Sequence, residues 1–169
     1  NKPLIVHTYE NALRSKKINS LFVCTDSLRI FNVIKKKTSN VIMTSTRFKN
    51  GTDRIASVAK NINCKLVIDI QGDEVFVDPK SIDQIINFHI QNYKADIVIG
   101  SCKTKRIKDK SIVKLVFNKK GEVNDMTRED NFCKFDKKNL YKQVDIISFK
   151  PDKLQKFSAL RQTKNEIKR

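Results

Sequence analysis

Along the first hundred residues, short apolar runs alternate with stretches that are apolar on one side only. Residues 3–17, PLIVHTYENALRSKK, place Leu4, Ile5, Thr8, Tyr9, Ala12 and Leu13 at helical spacing, with Pro3 at a tolerated first-turn position. SLFVCTD then reads as a buried strand ending at Asp26, SLRIFNVIKKK as a second amphipathic helix, and NVIMTS as another brief strand. Beyond the polar TRFKNGTD, RIASVAKNI has helical spacing, with Thr52 or Asp53 as its expected N-cap. KLVIDIQ is the most strand-like run in the chain. DPKSIDQIINFHIQN carries Asp78 as N-cap, Pro79 at the first helical position and Ile82, Ile85, Ile86 and Phe88 or His89 inward. ADIVIGSC is a further strand.

Strands without a clean in-out alternation, separated by helices, predict a mainly parallel sheet covered on both faces, the three-layer α/β arrangement. In such sheets ligands bind beyond the carboxyl ends of the strands. Asp26, Ser45 and the turn Gln71-Gly72-Asp73-Glu74 all fall at those ends.

The last third changes character. SIVKLVFNKKGEVNDMTR predicts a hairpin turned at Lys119-Lys120-Gly121. NFCKFDKKNLYKQ has no period and reads as a loop, VDIISF as a strand, and PDKLQKFSAL as a short helix opened by Pro and Asp. The whole is expected to be one domain. It begins directly on a helix and stops within a charged segment, so it reads as a piece of a longer chain.

Composition narrows the function classes. No apolar run approaches the roughly 18–20 residues of a membrane span, and no secretory segment opens the chain. Four scattered cysteines, without C-x-x-C or a neighbouring histidine, form neither a zinc nor a disulfide pattern and suit a reducing cytoplasm. With 35 Lys+Arg against 18 Asp+Glu the net charge is +17. Lysine is spread through every segment and the clusters IKKKTSN and FNKKGE lack interleaved aromatics, so nucleic acid is not the expected partner. A basic surface still favours acidic small substrates such as nucleotides and sugar acids.

Of the candidate chemistry, Asp73 and Glu74 either hold Mg²⁺, completed by water and substrate phosphates, or form a solvated turn. Gly51, Thr52, Asp53 and Arg54 either place backbone N–H groups and a guanidinium near an anion or simply start a helix. His7 and His89 lie on helices and read as structural. No nucleophile elbow, Walker loop, H-E-x-x-H or Cys–His pair occurs.

Taken in order and spacing, NKPLIVHTYENA, VCTDSLRI, VIMTS…NGTDRIASVA, VIDIQGDEVFVDP, ADIVIGS and VKLVFNKKGEV resemble successive blocks of the 3-deoxy-manno-octulosonate cytidylyltransferase (CMP-Kdo synthetase) family, over about residues 1–128. The resemblance implies a Rossmann-like three-layer sandwich of the nucleotide-diphospho-sugar transferase type. It also implies coupling of CTP and 3-deoxy-D-manno-octulosonate (Kdo) to CMP-Kdo and pyrophosphate with Mg²⁺, and a homodimer. By the same resemblance Asp73 is a catalytic metal ligand, while Gly51, Thr52, Asp53, Arg54 and Gln71 lie around the nucleotide. Arg128, in Thr127-Arg128 where the family has Ser-Arg, suits a bidentate grip on the sugar-acid carboxylate. The resemblance also divides the domain into a nucleotide-binding half, to about residue 105, and a sugar-binding and dimerisation half beyond it, and the sugar pocket departs from the family pattern. Phe48 stands for a His, Gln143 for a His and Ile147 for a Tyr, and KNEIKR keeps Glu166 but has Arg169 at the second acid. These departures leave open a different 2-keto sugar acid, or a nucleotide-binding remnant without catalysis.

Overall fold

A computed structural model describes residues 2–129 and 140–161. Its elements run α1 (Leu4–Leu13), β1 (Val23–Thr25), α2 (Leu28–Lys35), β2 (Val41–Met43), α3 (Gly51–Ala59), β3 (Val67–Ile70) and α4 (Pro79–Gln91). They continue with β4 (Ile97–Lys103), β5 (Lys114–Phe117), β6 (Val123–Thr127), β7 (Tyr141–Phe149) and α5 (Pro151–Ser158). The chain groups into two compact units, Asn1–Val98 with Ile146–Arg169, and Ile99–Asp145. The chain segment that returns after residue 145 therefore packs with the first hundred residues.

In the first unit β1 pairs parallel with β2, Val23 opposite Val41 and Thr25 opposite Met43. β3 pairs antiparallel with the end of β7, Val67 opposite Phe149 and Ile70 opposite Ile146. The side chains of β7 alternate across the sheet. Phe149 and Ile147 pack with Ala56 and Ala59 of α3 and Leu154 of α5. Ser148, facing the other way, meets His89 of α4. Helices thus cover both faces, giving the three layers expected. A separate cluster joins Val6 of α1, Val23, Ile34 of α2 and Val41.

The second unit is antiparallel. β5 pairs with β6, and Gly121 takes φ 78° in the connecting turn, where only glycine is unstrained. On its other edge β5 pairs with the start of β7, Leu115 opposite Tyr141. Val116 and Leu140 form its small core with Ile107.

Several expectations change. In place of one mainly parallel sheet, the described strands form a two-stranded parallel sheet, β1–β2, and a five-stranded sheet in which β3, β5 and β6 pair antiparallel with their neighbours and β4 pairs with β7. The reason is topological for β5 and β6, which follow one another through a tight turn at Gly121 without the helical crossover that parallel neighbours require. The segment read as a loop to Gln143 ends earlier, since β7 begins at Tyr141; residues 130–139 lie outside the described ones. On α1 the buried residues are Val6, Thr8 and Ala12, the last two within the expected stripe, whereas Leu4 and Leu13 are 62% and 58% exposed. The N-cap of α3 is Asn50, whose side chain accepts from the Asp53 N–H at 2.8 Å, so Thr52 and Asp53 fall inside the first turn.

Two predictions follow from this packing. Ile34 is fully buried, so Ile34→Ala should cost about 2–5 kcal/mol of unfolding free energy in chemical denaturation. Buried His89 bridges Ser148 Oγ (2.7 Å from Nδ1) and the Ala95 carbonyl (3.1 Å from Nε2). The carbonyl can only accept, so Nε2 carries the proton and Nδ1 accepts from the serine hydroxyl. Burial holds the His89 pKa below its ordinary 6.5. The unfolded chain then binds a proton the folded chain refuses, so stability is present above pH 6.5 and is lost as pH falls from there through the folded value. The slope of unfolding free energy against pH in that window should flatten in His89→Gln.

Candidate active site at the strand ends

The first unit gathers polar side chains at the carboxyl ends of β1, β2 and β3. At the end of β3 the chain turns at once: Glu74 N–H donates to the Gln71 carbonyl (3.1 Å) and Val75 N–H to that of Asp73 (2.8 Å). Helix α1 pins this turn from the side. Thr8 Oγ1 donates to the Gly72 carbonyl at 2.9 Å, and Asn11 Nδ2 to the Val75 carbonyl at 2.9 Å. A Cβ on Gly72 would stand 3.0 Å from Ile5 Cδ1, so the close approach of α1 favours glycine there. The pinned turn presents Asp73 at the surface. Among the described residues no group of three or more His, Cys, Asp or Glu side chains forms a metal cluster.

Asp69, in the middle of β3, is 1% exposed. Its carboxylate accepts from Thr52 Oγ1 at 2.8 Å and, more weakly, from Gln71 Nε2 at 3.5 Å. One buried acid therefore joins the start of α3 to the residue that opens the turn. The sequence reading passed over Asp69. Its signal was a lone carboxylate inside the apolar run VIDI, which demands partners if the strand is buried.

Arg54, one turn into α3, reaches across two strand ends. Nη2 pairs with Asp26 Oδ2 at 2.6 Å, and Nη1 donates to Thr44 Oγ1 at 2.5 Å and the Ser45 carbonyl at 3.3 Å. Its side chain is only 15% exposed. Phe48 lies over the guanidinium, 5.9 Å from charge to ring centre. A Cβ on Gly51 would meet the Gln71 amide at 3.5 Å, ordinary van der Waals contact.

These groups border a cavity of about 220 Å³, lined among others by Tyr9, Cys24, Gly51, Arg54, Asp69 and Gln71. That is below the roughly 300–1,000 Å³ of pockets that enclose whole ligands, so it suits one part of a nucleotide rather than all of it. Burial pushes the Cys24 thiol up to about 11, so it stays protonated and offers no nucleophile.

In the second unit Arg128 and Gln143 attach to one short segment. Arg128 Nη1 donates to the Ser111 carbonyl at 2.5 Å, and the Gln143 backbone N–H to the Val113 carbonyl at 2.8 Å. Gln143 Nε2 also reaches Asp145 at 3.4 Å. Ile147, expected in the sugar pocket, instead packs in the α3–α5 cluster of the first unit. Glu166 lies outside the described residues. Among the described residues no helix is long and apolar enough to cross a membrane.

Comparison with known proteins matches residues 1–168 to the family model described as Cytidylyltransferase. The 3-deoxy-manno-octulosonate cytidylyltransferase of Chlorobium phaeobacteroides is 32% identical, over 94% of this chain and 67% of its own length. That of Thermodesulfovibrio yellowstonii is 33% identical, over 95% of this chain and 70% of its own length. A solved structure of CMP:2-keto-3-deoxy-manno-octonic acid synthetase complexed with CTP superposes with a TM-score of 0.88 at 24% identity, covering 99% of this chain and 71% of that one. That likeness establishes the same α/β fold. A family match over nearly the whole chain, in a molecule that gathers Arg54, Asp69 and the Gln71–Glu74 turn at its strand ends, places the chain in the cytidylyltransferase family.

Proposed function

We propose that this cytidylyltransferase couples CTP to Kdo, giving CMP-Kdo and pyrophosphate, as a step towards lipopolysaccharide or capsule. The observation that carries the reading is the pinned QGDE turn with Asp69 and Thr52 behind it, in a chain whose relatives bear that enzyme's name. A neighbouring 2-keto sugar acid is the alternative substrate, because Gln143 and Phe48 stand where the family pattern differs.

The reaction needs an acceptor hydroxyl on the sugar and a leaving pyrophosphate. The anomeric oxygen forms a bond to the α-phosphorus, the bond from that phosphorus to the bridging oxygen of pyrophosphate breaks, and the hydroxyl proton is lost to solvent. No protein nucleophile is required, in keeping with the protonated Cys24. The chain's contribution is positioning and charge. Gly51, Thr52, Asp53 and Gln71 border the nucleotide. Arg54 holds the ends of β1 and β2 together beside it. Arg128 and Gln143 receive the sugar acid, the guanidinium matching its carboxylate.

The donor set suits Mg²⁺, which takes one or two protein carboxylates and completes its shell with water and phosphate oxygens. Asp73, exposed on a turn fixed by Thr8 and Asn11, would hold it. When bound it would screen the phosphate charge.

The deciding experiment is pyrophosphate release by the full-length protein from CTP and Mg²⁺, with Kdo and with related sugar acids. Release dependent on one sugar acid establishes the enzyme and its substrate; CTP binding without turnover on any of them leaves a nucleotide-binding remnant. Asp73→Asn should weaken CTP binding in Mg²⁺ by about tenfold or more while leaving binding in EDTA unchanged, read by titration calorimetry. Asp69→Leu, which frees Thr52 and Gln71 together, should raise the Kd for CTP about tenfold. An unchanged Kd would remove Asp69 from the nucleotide site.

A further inference from the structure

Among the described residues of the second unit, the largest wholly buried side chain is a lysine. Lys114 opens β5 with 0% exposure. Among the described residues it has no carboxylate within ion-pair distance; its Nζ donates to two backbone carbonyls, Asp109 at 2.9 Å and Arg128 at 2.7 Å. Burying an ammonium is costly, and an apolar side chain could occupy the base of a hairpin at far lower cost. Lysine at this point needs a reason.

Its place supplies one. β5 is the middle strand of three, and Lys114 faces Thr127 on one side and Lys142 on the other. The next residues along those flanking strands are Arg128 and Gln143. Both are tied to the segment that Lys114 itself ties down, through Ser111 and Val113. Ser111 in turn caps Asp109, donating from its N–H (2.8 Å) and its hydroxyl (2.6 Å) to Oδ1. One ammonium therefore clamps residues 109–113 to the Arg128 backbone, and the Arg128 guanidinium closes the loop by returning to Ser111.

We infer that Lys114 is the positioning residue of the sugar-acid subsite. It locks the Arg128 backbone against the 109–113 segment, so that the guanidinium is held ready for a carboxylate, and it adds a fixed positive charge behind it. A pre-ordered arginine spends less conformational entropy on binding than a free one. The inference rests on the reading of Arg128 as the carboxylate partner.

Kinetics of pyrophosphate release by the full-length protein test it, with sugar acid and CTP varied in turn. Lys114→Met should raise the KM for the sugar acid about tenfold or more while the KM for CTP stays within about twofold. Lys114→Arg, which keeps charge and donors, should restore most of that loss. In parallel, hydrogen exchange in Lys114→Gln should accelerate at residues 109–113 and 127–129 and not in the first unit. Equal rises in both KM values would make Lys114 a plain structural prop, and no change in exchange at those residues would show that it does not hold the segment; either overturns the inference. If Lys114→Met does not fold, failure of Lys114→Gln to raise the sugar-acid KM selectively overturns it equally. Arg128→Ala separates the two levels. A raised sugar-acid KM there with none in the Lys114 variants sinks the positioning role alone. No effect of Arg128→Ala sinks the underlying reading of the subsite, and the inference with it.

Discussion

The buried carboxylate of Asp69 constrains the candidate site more than any other group. A buried carboxyl group within a sheet needs hydrogen-bond partners, and the structure recruits them from both sides, Thr52 from α3 and Gln71 from the turn. This couples three things that could otherwise move separately: the strand, the N-terminus of the helix beside it, and the loop carrying Asp73. With Thr8 and Asn11 gripping the same loop from α1, the acidic turn becomes a rigid platform. A site that relies on positioning and charge needs that rigidity.

Arg54 extends the same logic to the parallel pair. Strands β1 and β2 are each three residues long, too short to fix their ends by ladder bonds alone. The guanidinium, matched to Asp26 and Thr44 and roofed by Phe48, makes those ends a single surface. In the second unit a lysine does comparable work with backbone carbonyls as its acceptors. In both places a long cation is spent on holding backbone in position, which gives part of the +17 charge an internal use.

Much of this was legible in the linear pattern. The helical stripe at Ile82, Ile86 and His89 is the buried face of α4, and Asp78 with Pro79 starts that helix as its residue types require. The Lys119–Gly121 turn forms because glycine tolerates the positive φ. Misreadings came where local signals compete. Thr52, Asp53 and Asn50 are all good caps, and only the Asn50 side chain has the geometry to accept from the Asp53 N–H. On α1, periodicity marked Leu4 and Leu13 inward, but the cluster that covers this helix lies on the side of Val6.

Order of elements, strand ends, caps and apolar faces are properties of residues close in the chain, and there the amino acids were sufficient except where neighbouring candidates compete, as at the α3 cap and at Leu4 and Leu13 of α1. Strand direction, the bond of Thr52 to Asp69, those of Arg54 to Asp26 and Thr44, and that of Lys114 to Arg128 depend on residues 10 to 28 positions apart or on strands paired across the unit. Such contacts carry no periodic signature. A carboxylate in a strand or a lysine before an apolar run looks like an exception until the chain folds and supplies the donors and acceptors that make its burial affordable.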